Sequence, residues 1–278
     1  MLNLETLQAF ILHDVIKYLI FAGGLSLLLW LFARRLARRR LQERRAQRGD
    51  YLRETAASLL SAVLFALCSL LGVFWFSELG LNRLYWDLDR FGMVYAGASL
   101  LLMILAHDAY FYWTHRLLHQ PWLMRHMHRL HHRSRTPTPW AAYAFDPGEA
   151  LVQALFPVLF ALLVPLHPKV LLLWSLHMIV RNVMGHSGHE LFPDWMLRSR
   201  AWGWLTSCTH HDLHHRHGRS NYGLYFSWWD RWMGTEHPDY QAHLERILTD
   251  QTDAAAEETL RPTQQSEAGR GPQNEGAR

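Results

Sequence analysis

The chain has 278 residues, half of them hydrophobic, with 13 tryptophans and a formal net charge of +4. Its two cysteines, Cys68 and Cys208, are too few for a disulfide framework or for an iron–sulfur cluster held by cysteine alone. The basic excess does not point to nucleic acid, because most of it lies in one loop directly after an apolar run.

In chain order, an apolar run from about Val15 to Ala33 follows an acidic N-terminal stretch with no small-residue cleavage site. It reads as an uncleaved membrane span rather than a removed signal. The loop "RRLARRRLQERRAQRGDYLR" carries nine arginines, and a second apolar run extends from Thr55 to Ser77. Both runs are long enough to cross a hydrocarbon core of ~30 Å at ~1.5 Å per helical residue. The loop after the second run balances its charges, so the positive-inside rule puts the arginine loop in the cytoplasm and the N-terminus outside.

A third run begins near Met93 and continues through "LLMILAHDAYFYWTHRLLH". Two shorter runs, Ala150 to Leu166 and Val170 to Met184, are joined at "HPK", where Pro168 marks a turn, and read as a hairpin that returns to the side it left. This topology gathers every histidine cluster on the cytoplasmic face of an integral membrane protein, and the inner membrane of a bacterium is the expected location. The stretch 250–278 has almost no large apolar residues and reads as a disordered tail. The expected organisation is an N-terminal span with its arginine loop (1–54), a membrane-embedded catalytic domain (55–249) and the tail (250–278).

Four histidine clusters stand out: His115 and His119; His128, His131 and His132; His186 and His189; His211, His214 and His215. Residues three or four apart share one helical face, so each cluster is expected to aim its rings at a common point. Ten candidate ligands exceed the roughly four that one tetrahedral site needs, which argues for two metals. Asp108, seven residues before His115, falls on the same helical stripe and is expected to orient a ligand ring. Glu149 in "FDPGEAL" suits either a helix entry or a partner to a ligand histidine.

Each cluster also has a plainer reading. His115 and His119 fit interfacial or core histidines, the two triplets fit exposed basic faces beside arginines, and "HSGH" fits a helix end where glycine permits the turn. His126, His210 and His217 read as neighbours of the clusters, His177 as a hydrogen-bonded core residue, and His107 points away from the stripe. Two copies of one triplet spacing in a single chain weigh against coincidence. Imidazole suits iron, zinc, copper and nickel alike, so the histidines alone do not name the metal.

The blocks "DAYFYWTHRLLH", "HRLHH" and "HDLHHRHGRSNYGLYFSWWDRWMGTEHP", between about Leu102 and Tyr240, resemble the membrane-bound fatty acid hydroxylase and sterol desaturase superfamily. The resemblance implies an all-α integral membrane bundle whose cytosolic histidine-rich cap holds a di-iron centre. It implies an enzyme that activates dioxygen and hydroxylates a C–H bond of a fatty acyl, sterol or related lipid. Carried over by position, the ligands are His115, His119, His128, His131, His132, His186, His211, His214 and His215, with His189 added from a third motif that departs from the H-x3-H spacing of some relatives. The usual HPxE-like segment appears as "DPGE", which carries Glu149.

Such chemistry consumes two electrons, and the chain has no dinucleotide-binding glycine pattern, haem-attachment motif or cysteine set to supply them, so an external electron donor or reductase is implied. The expected partners are thus a lipid substrate, the membrane and that donor, with no nucleic acid. Desaturation is the alternative within the family. A histidine-rich zinc hydrolase and a metal-handling membrane protein are the alternatives outside it.

Overall fold

The computed structural model describes residues 3–249. The tail expected at 250–278 lies outside the described residues. Among the described residues the chain is helical, with isolated β-bridges and no strand. The main helices are α1 (Leu4–Leu31), α2 (Arg48–Leu70), α3 (Gly92–Leu118), α4 (Pro147–Leu163), α5 (Pro168–Gly185) and α6 (Cys208–His217).

Helices α1, α2 and α3 are each long and apolar enough to cross a membrane. With 28 residues, α1 extends about 42 Å. It begins where the Asn3 side chain accepts the Thr6 N–H at 2.8 Å, and a cap of this kind satisfies one of the four donors that open a helix. Its outer side leaves Leu12, Ile16, Ile20 and Leu27 exposed. An apolar face of this extent suits contact with lipid rather than water. Only Asp14, Tyr18 and Ala22 of α1 are buried, and Tyr18 and Ala22 pack on Tyr143, Phe145 and Ile179 in one core cluster.

Helices α4 and α5 form the hairpin expected from the sequence. Each opens with proline in its first turn, where a missing N–H costs nothing. The His167 ring caps α5 by accepting the Lys169 N–H at 3.1 Å.

The arginine loop is more than a solvated run of charge. Its backbone pairs with the segment after α5, through Leu41 N–H to the Gly188 carbonyl (2.9 Å) and Glu190 N–H to the Arg39 carbonyl (2.8 Å). The Arg39 guanidinium also donates to the Glu190 carbonyl at 2.7 Å and to Asp194 at 2.8 Å, while Gln42 donates to Asp212 on α6. These bonds tie the loop between the first two spans to the histidine-bearing end of the molecule.

Candidate metal centre

Each histidine is placed by a different local backbone. His115 sits in the last turn of α3 and His119 at its C-cap. His128 closes a π-helical turn, Met124–His128, and His131 opens a 3-10 turn, His131–Arg133. His186 caps α5. His211, His214 and His215 lie on α6, which Ser207 starts by accepting the His210 N–H and which ends at Gly218 in the left-handed conformation (φ 66°).

These elements bring nine rings into two groups: His115, His119, His128, His132 and His214 in one, and His131, His186, His211 and His215 in the other. Within each group one donor atom per residue lies within 4.8 Å of every other. The expectation that each sequence cluster converges on one point needs correction for both triplets. Residues four apart differ by about 40° around a helix and residues three apart by about 60° in the opposite sense. His211 and His215 therefore face one group while His214 faces the other, and each triplet straddles both.

The hydrogen bonds of the far ring nitrogens fix the tautomers. His115 Nδ1 donates to the Tyr222 carbonyl (2.9 Å), His214 Nδ1 to the Ser220 carbonyl (2.7 Å) and His186 Nδ1 to the Asn182 carbonyl (2.8 Å). A carbonyl only accepts, so these Nδ1 atoms carry the proton and the Nε2 lone pairs point inward. His128 Nδ1 lies 2.7 Å from Glu149 Oε2, both groups buried. The contact is off the ring N–H axis, a close approach rather than an aligned bond. Burial, with Asp146 nearby, pushes the Glu149 carboxyl well above its usual range, so it ionises there only with a positive charge close by.

Nε2 of His115 then faces Nε2 of His128 at 3.1 Å with a lone pair on the His115 side. His132 Nε2 has three such neighbours, His119 at 3.2 Å and His128 and His214 at 3.1 Å, and one proton satisfies only one of them. The second group repeats the pattern, with His186, His211 and His215 at 3.1 to 3.2 Å from one another. Converging lone pairs at this spacing repel unless a cation lies among them, so the donor set fits metal binding.

Electrostatics point the same way. Burial, followed by the neighbouring rings, pushes His128, His131, His132, His211, His214 and His215 well below the usual imidazole range. Burial takes His186 to about 4 and, with His214 beside it, His119 to about 2. Neutral rings are the form that binds metal.

The chain from residue 100 to 235 matches the family model described as fatty acid hydroxylase, an interval that contains all nine gathered histidines. The chain belongs to the fatty acid hydroxylase and sterol desaturase superfamily. It is 30% identical over 192 residues to a Delta(7)-sterol 5(6)-desaturase of Gibberella zeae (68% of this chain, 58% of that protein). It is 34% identical over 162 residues to lathosterol oxidase of Rattus norvegicus (57% and 52%). A third relative, cholesterol 25-hydroxylase of the rat, is 33% identical over 139 residues (50% and 46%). The chain thus spans about half to three fifths of the length of these relatives. They come from a fungus and a mammal and lend nothing to the expectation of a bacterial inner membrane. No solved structure matches the chain.

Within this family frame, His189 stands apart from both groups. Its backbone pairs with Arg40, and its Nδ1 faces the Ser187 carbonyl at 3.0 Å. Asp108 also departs from expectation. It orients no ligand ring; it accepts from the Tyr225 and Phe226 N–H groups (2.8 and 3.2 Å) and from the Trp228 indole (2.9 Å). It thereby anchors the loop that presents the Ser220 and Tyr222 carbonyls.

Sequence reasoning missed Asp230 and Asn182. Asp230 accepts the N–H groups of Tyr222 and Gly223, each at 2.8 Å, and lies 3.3 Å from Nε2 of the buried His210. Burial opposes its ionisation, but His210, Thr235 and the Gly223 N–H outweigh that and hold its carboxyl below the usual range. The only advance signal for Asp230 was an acid inside the aromatic segment "SWWDRW". Asn182, one helical turn before His186, had a visible spacing, but its use of a backbone carbonyl left no mark on the sequence.

Proposed function

We propose that this protein is a membrane-bound di-iron oxygenase that uses dioxygen and two external electrons to hydroxylate a C–H bond of a lipid. The observation that carries this reading is the pair of histidine groups whose inward lone pairs face one another at about 3.1 Å. The relatives' names, which describe a desaturase, an oxidase and a hydroxylase, favour a redox metal over zinc. Iron bound in the two groups would supply dioxygen activation and oxidation of an otherwise unreactive C–H bond.

The chain's own residues do the remaining work. The carbonyls of Tyr222, Ser220 and Asn182 fix the tautomers of His115, His214 and His186, and Glu149 stands 2.7 Å from Nδ1 of His128. Burial keeps the rings neutral, and aromatic walls, Phe145 on His131 and Phe111 on His115, keep bulk water from the side facing the helical bundle. The bonds between the arginine loop and this end of the molecule, taken with the positive-inside rule, support a cytoplasmic site that a soluble electron donor would approach.

Balance requires the electrons to come from outside: one oxygen atom enters the C–H bond and the other leaves as water. Desaturation is the second reading, favoured by the name of the Gibberella zeae relative, and in it both oxygen atoms leave as water.

Comparing lipid extracts of cells with and without the protein, in air and anaerobically, tests the proposal. A lipid that gains a hydroxyl only in air supports hydroxylation, and one that loses two hydrogens supports desaturation. A lipid change that persists without dioxygen would instead support the zinc hydrolase. Purified protein with lipid but no electron donor is expected to show no sustained turnover.

A further inference from the structure

Where α1 meets the arginine loop, a cavity of about 490 Å³ opens between that loop, the first turn of α2 and the segments 136–139 and 187–189. Its lining is two-sided. Leu29, Trp30 and Ala33 at the end of α1 give it an apolar edge, and Arg40, Arg44 and Arg45 give it a cationic one. Among the described residues no aspartate or glutamate lines it. Trp30 is 72% exposed, and an exposed tryptophan at the end of a spanning helix marks the level of the lipid headgroups.

The cationic edge is held in place by the fold. The Arg40 backbone is bridged to His189, and the next residue, Leu41, donates to the Gly188 carbonyl at 2.9 Å. Just beyond Arg45, Gln47 and Asp50 form the reciprocal cap that opens α2. Of the three guanidiniums only Arg44 reaches a carboxylate, Asp50 at 3.3 Å, and its side chain is 56% exposed, so that pair holds it weakly. Arg40 donates to the Glu43 carbonyl at 3.3 Å, and neither it nor Arg45 forms an ion pair among the described residues. Ser26 of α1 lines the same cavity, and its buried hydroxyl has no hydrogen-bond partner. Three cations without an acid on the lining, beside an orphaned donor, fit an anion.

We propose that this cavity holds the phosphate headgroup of an anionic phospholipid, whose acyl chains lie along the exposed leucines at the end of α1, Leu27, Leu28 and Leu31. The lipid is a bound component of the protein rather than its substrate, and the inference stands apart from the oxygenase reading. Guanidinium groups match phosphate oxygens with paired N–H bonds, and a serine hydroxyl can donate to a third oxygen. Basic pockets between spanning helices at the membrane surface take such headgroups. A zwitterionic headgroup gains less, because its ammonium meets three guanidiniums and no carboxylate. Free phosphate leaves the apolar edge unused. At about 30 Å³ per water-sized group the space takes roughly sixteen, enough for a phosphate and its glycerol. The headgroup would brace the arginine loop against residues 187–189, which directly follow His186 of the smaller histidine group.

Equilibrium binding of pyrene-labelled phosphatidylglycerol and phosphatidylcholine to the purified full-length chain in dodecyl maltoside micelles, with and without chelator, tests this. Phosphatidylglycerol is expected to bind about thirtyfold more tightly, from two unpaired arginines near the membrane surface. Arg40→Gln combined with Arg45→Gln is expected to erase the preference. Arg34→Gln combined with Arg35→Gln removes the same charge from the same loop outside the cavity and is expected to keep it. Inorganic phosphate and glycerol 3-phosphate, which lack acyl chains, are expected to compete poorly.

Equal binding of the two lipids to the unaltered protein would overturn the proposal and leave the arginines to an acidic protein surface. Equal loss in both double variants would overturn it as well, since the whole loop would then attract anions without a site. Full displacement of the labelled lipid by millimolar inorganic phosphate would reassign the cavity to a free anion. Should the Arg40 and Arg45 double variant fail to fold, Arg45→Gln alone, on an exposed side chain, is expected to lower the preference roughly fivefold, and an unchanged preference there would count against the site. A selective lipid site in a protein without dioxygen-dependent turnover would sink the oxygenase reading and leave this one standing.

Discussion

The two histidine triplets have identical spacing and opposite backbones. His211, His214 and His215 ride a regular α-helix whose first turn is capped by Ser207 and by Glu190, which accepts the Thr209 N–H at 2.9 Å. His128, His131 and His132 are strung across a π-helical turn and a 3-10 turn. Both nonetheless divide in the same way, two rings to one group and one to the other, with the majority reversed: His128 and His132 join the group of five, and His211 and His215 the group of four. The comparison teaches that a spacing motif specifies a set of ring directions rather than a single target, and that irregular backbone can supply those directions as well as a helix does.

The hardest way to break this symmetry is to remove one ring from each side. His211→Ala leaves three rings in the smaller group, whereas His119→Ala leaves four in the larger. The first is expected to lower bound metal from about two toward one per chain and to reduce turnover more than ~100-fold, and the second to have a smaller effect on metal content. Metal analysis beside an activity assay checks this, and equal loss from both variants would mean that the groups do not act as separate sites.

Next in size is the support of a single ring. Glu149→Gln removes the carboxylate 2.7 Å from His128 and is expected to cost ~10–100-fold in metal affinity at the group of five. A competition titration with a chelator would show an unchanged second site. Gly223→Ala probes the same group through the backbone. An added Cβ would stand 2.5 Å from the Phe226 carbonyl and 2.9 Å from Asp230, displacing the loop that presents the Ser220 and Tyr222 carbonyls. Thermal unfolding should show a loss of about 1–3 kcal/mol.

Acid gives a gentler test. Since burial lowers the folded pKa of these rings, the unfolded chain binds more protons between the ordinary histidine value near 6.5 and the folded values. The stability of the metal-free protein is therefore complete above about pH 6.5 and falls as pH drops through that window, with His186 taking up its proton in the fold only at about 4. Unfolding midpoints of the chelated protein across this range check the slope, and a flat profile would contradict neutral burial of the rings. The smallest effect belongs to His189→Ala, which is expected to leave metal content unchanged because His189 lies in neither group.

Much of this architecture was legible in the sequence because it rests on composition and local period. Apolar runs announced three helices of spanning length, Pro168 announced the hairpin, and repeated histidine spacing announced many donors on shared faces. The boundaries moved: α1 begins at Leu4 rather than near Val15, since the Asn3 cap and a polar first turn extend a helix beyond its apolar stretch. Asp108 lay on the right stripe yet serves a loop more than a hundred residues away, because helical phase gives a direction without naming what lies there.

The sequence by itself determined that this protein is helical, membrane-spanning and rich in imidazole at one end, since those properties are sums over neighbouring residues. Only the tertiary structure decided which ring belongs to which group, that His189 belongs to neither, and that Trp30, Arg45 and His189 share a cavity. Those relations join residues far apart in the chain. They depend on distances and lone-pair directions fixed only when separate helices pack.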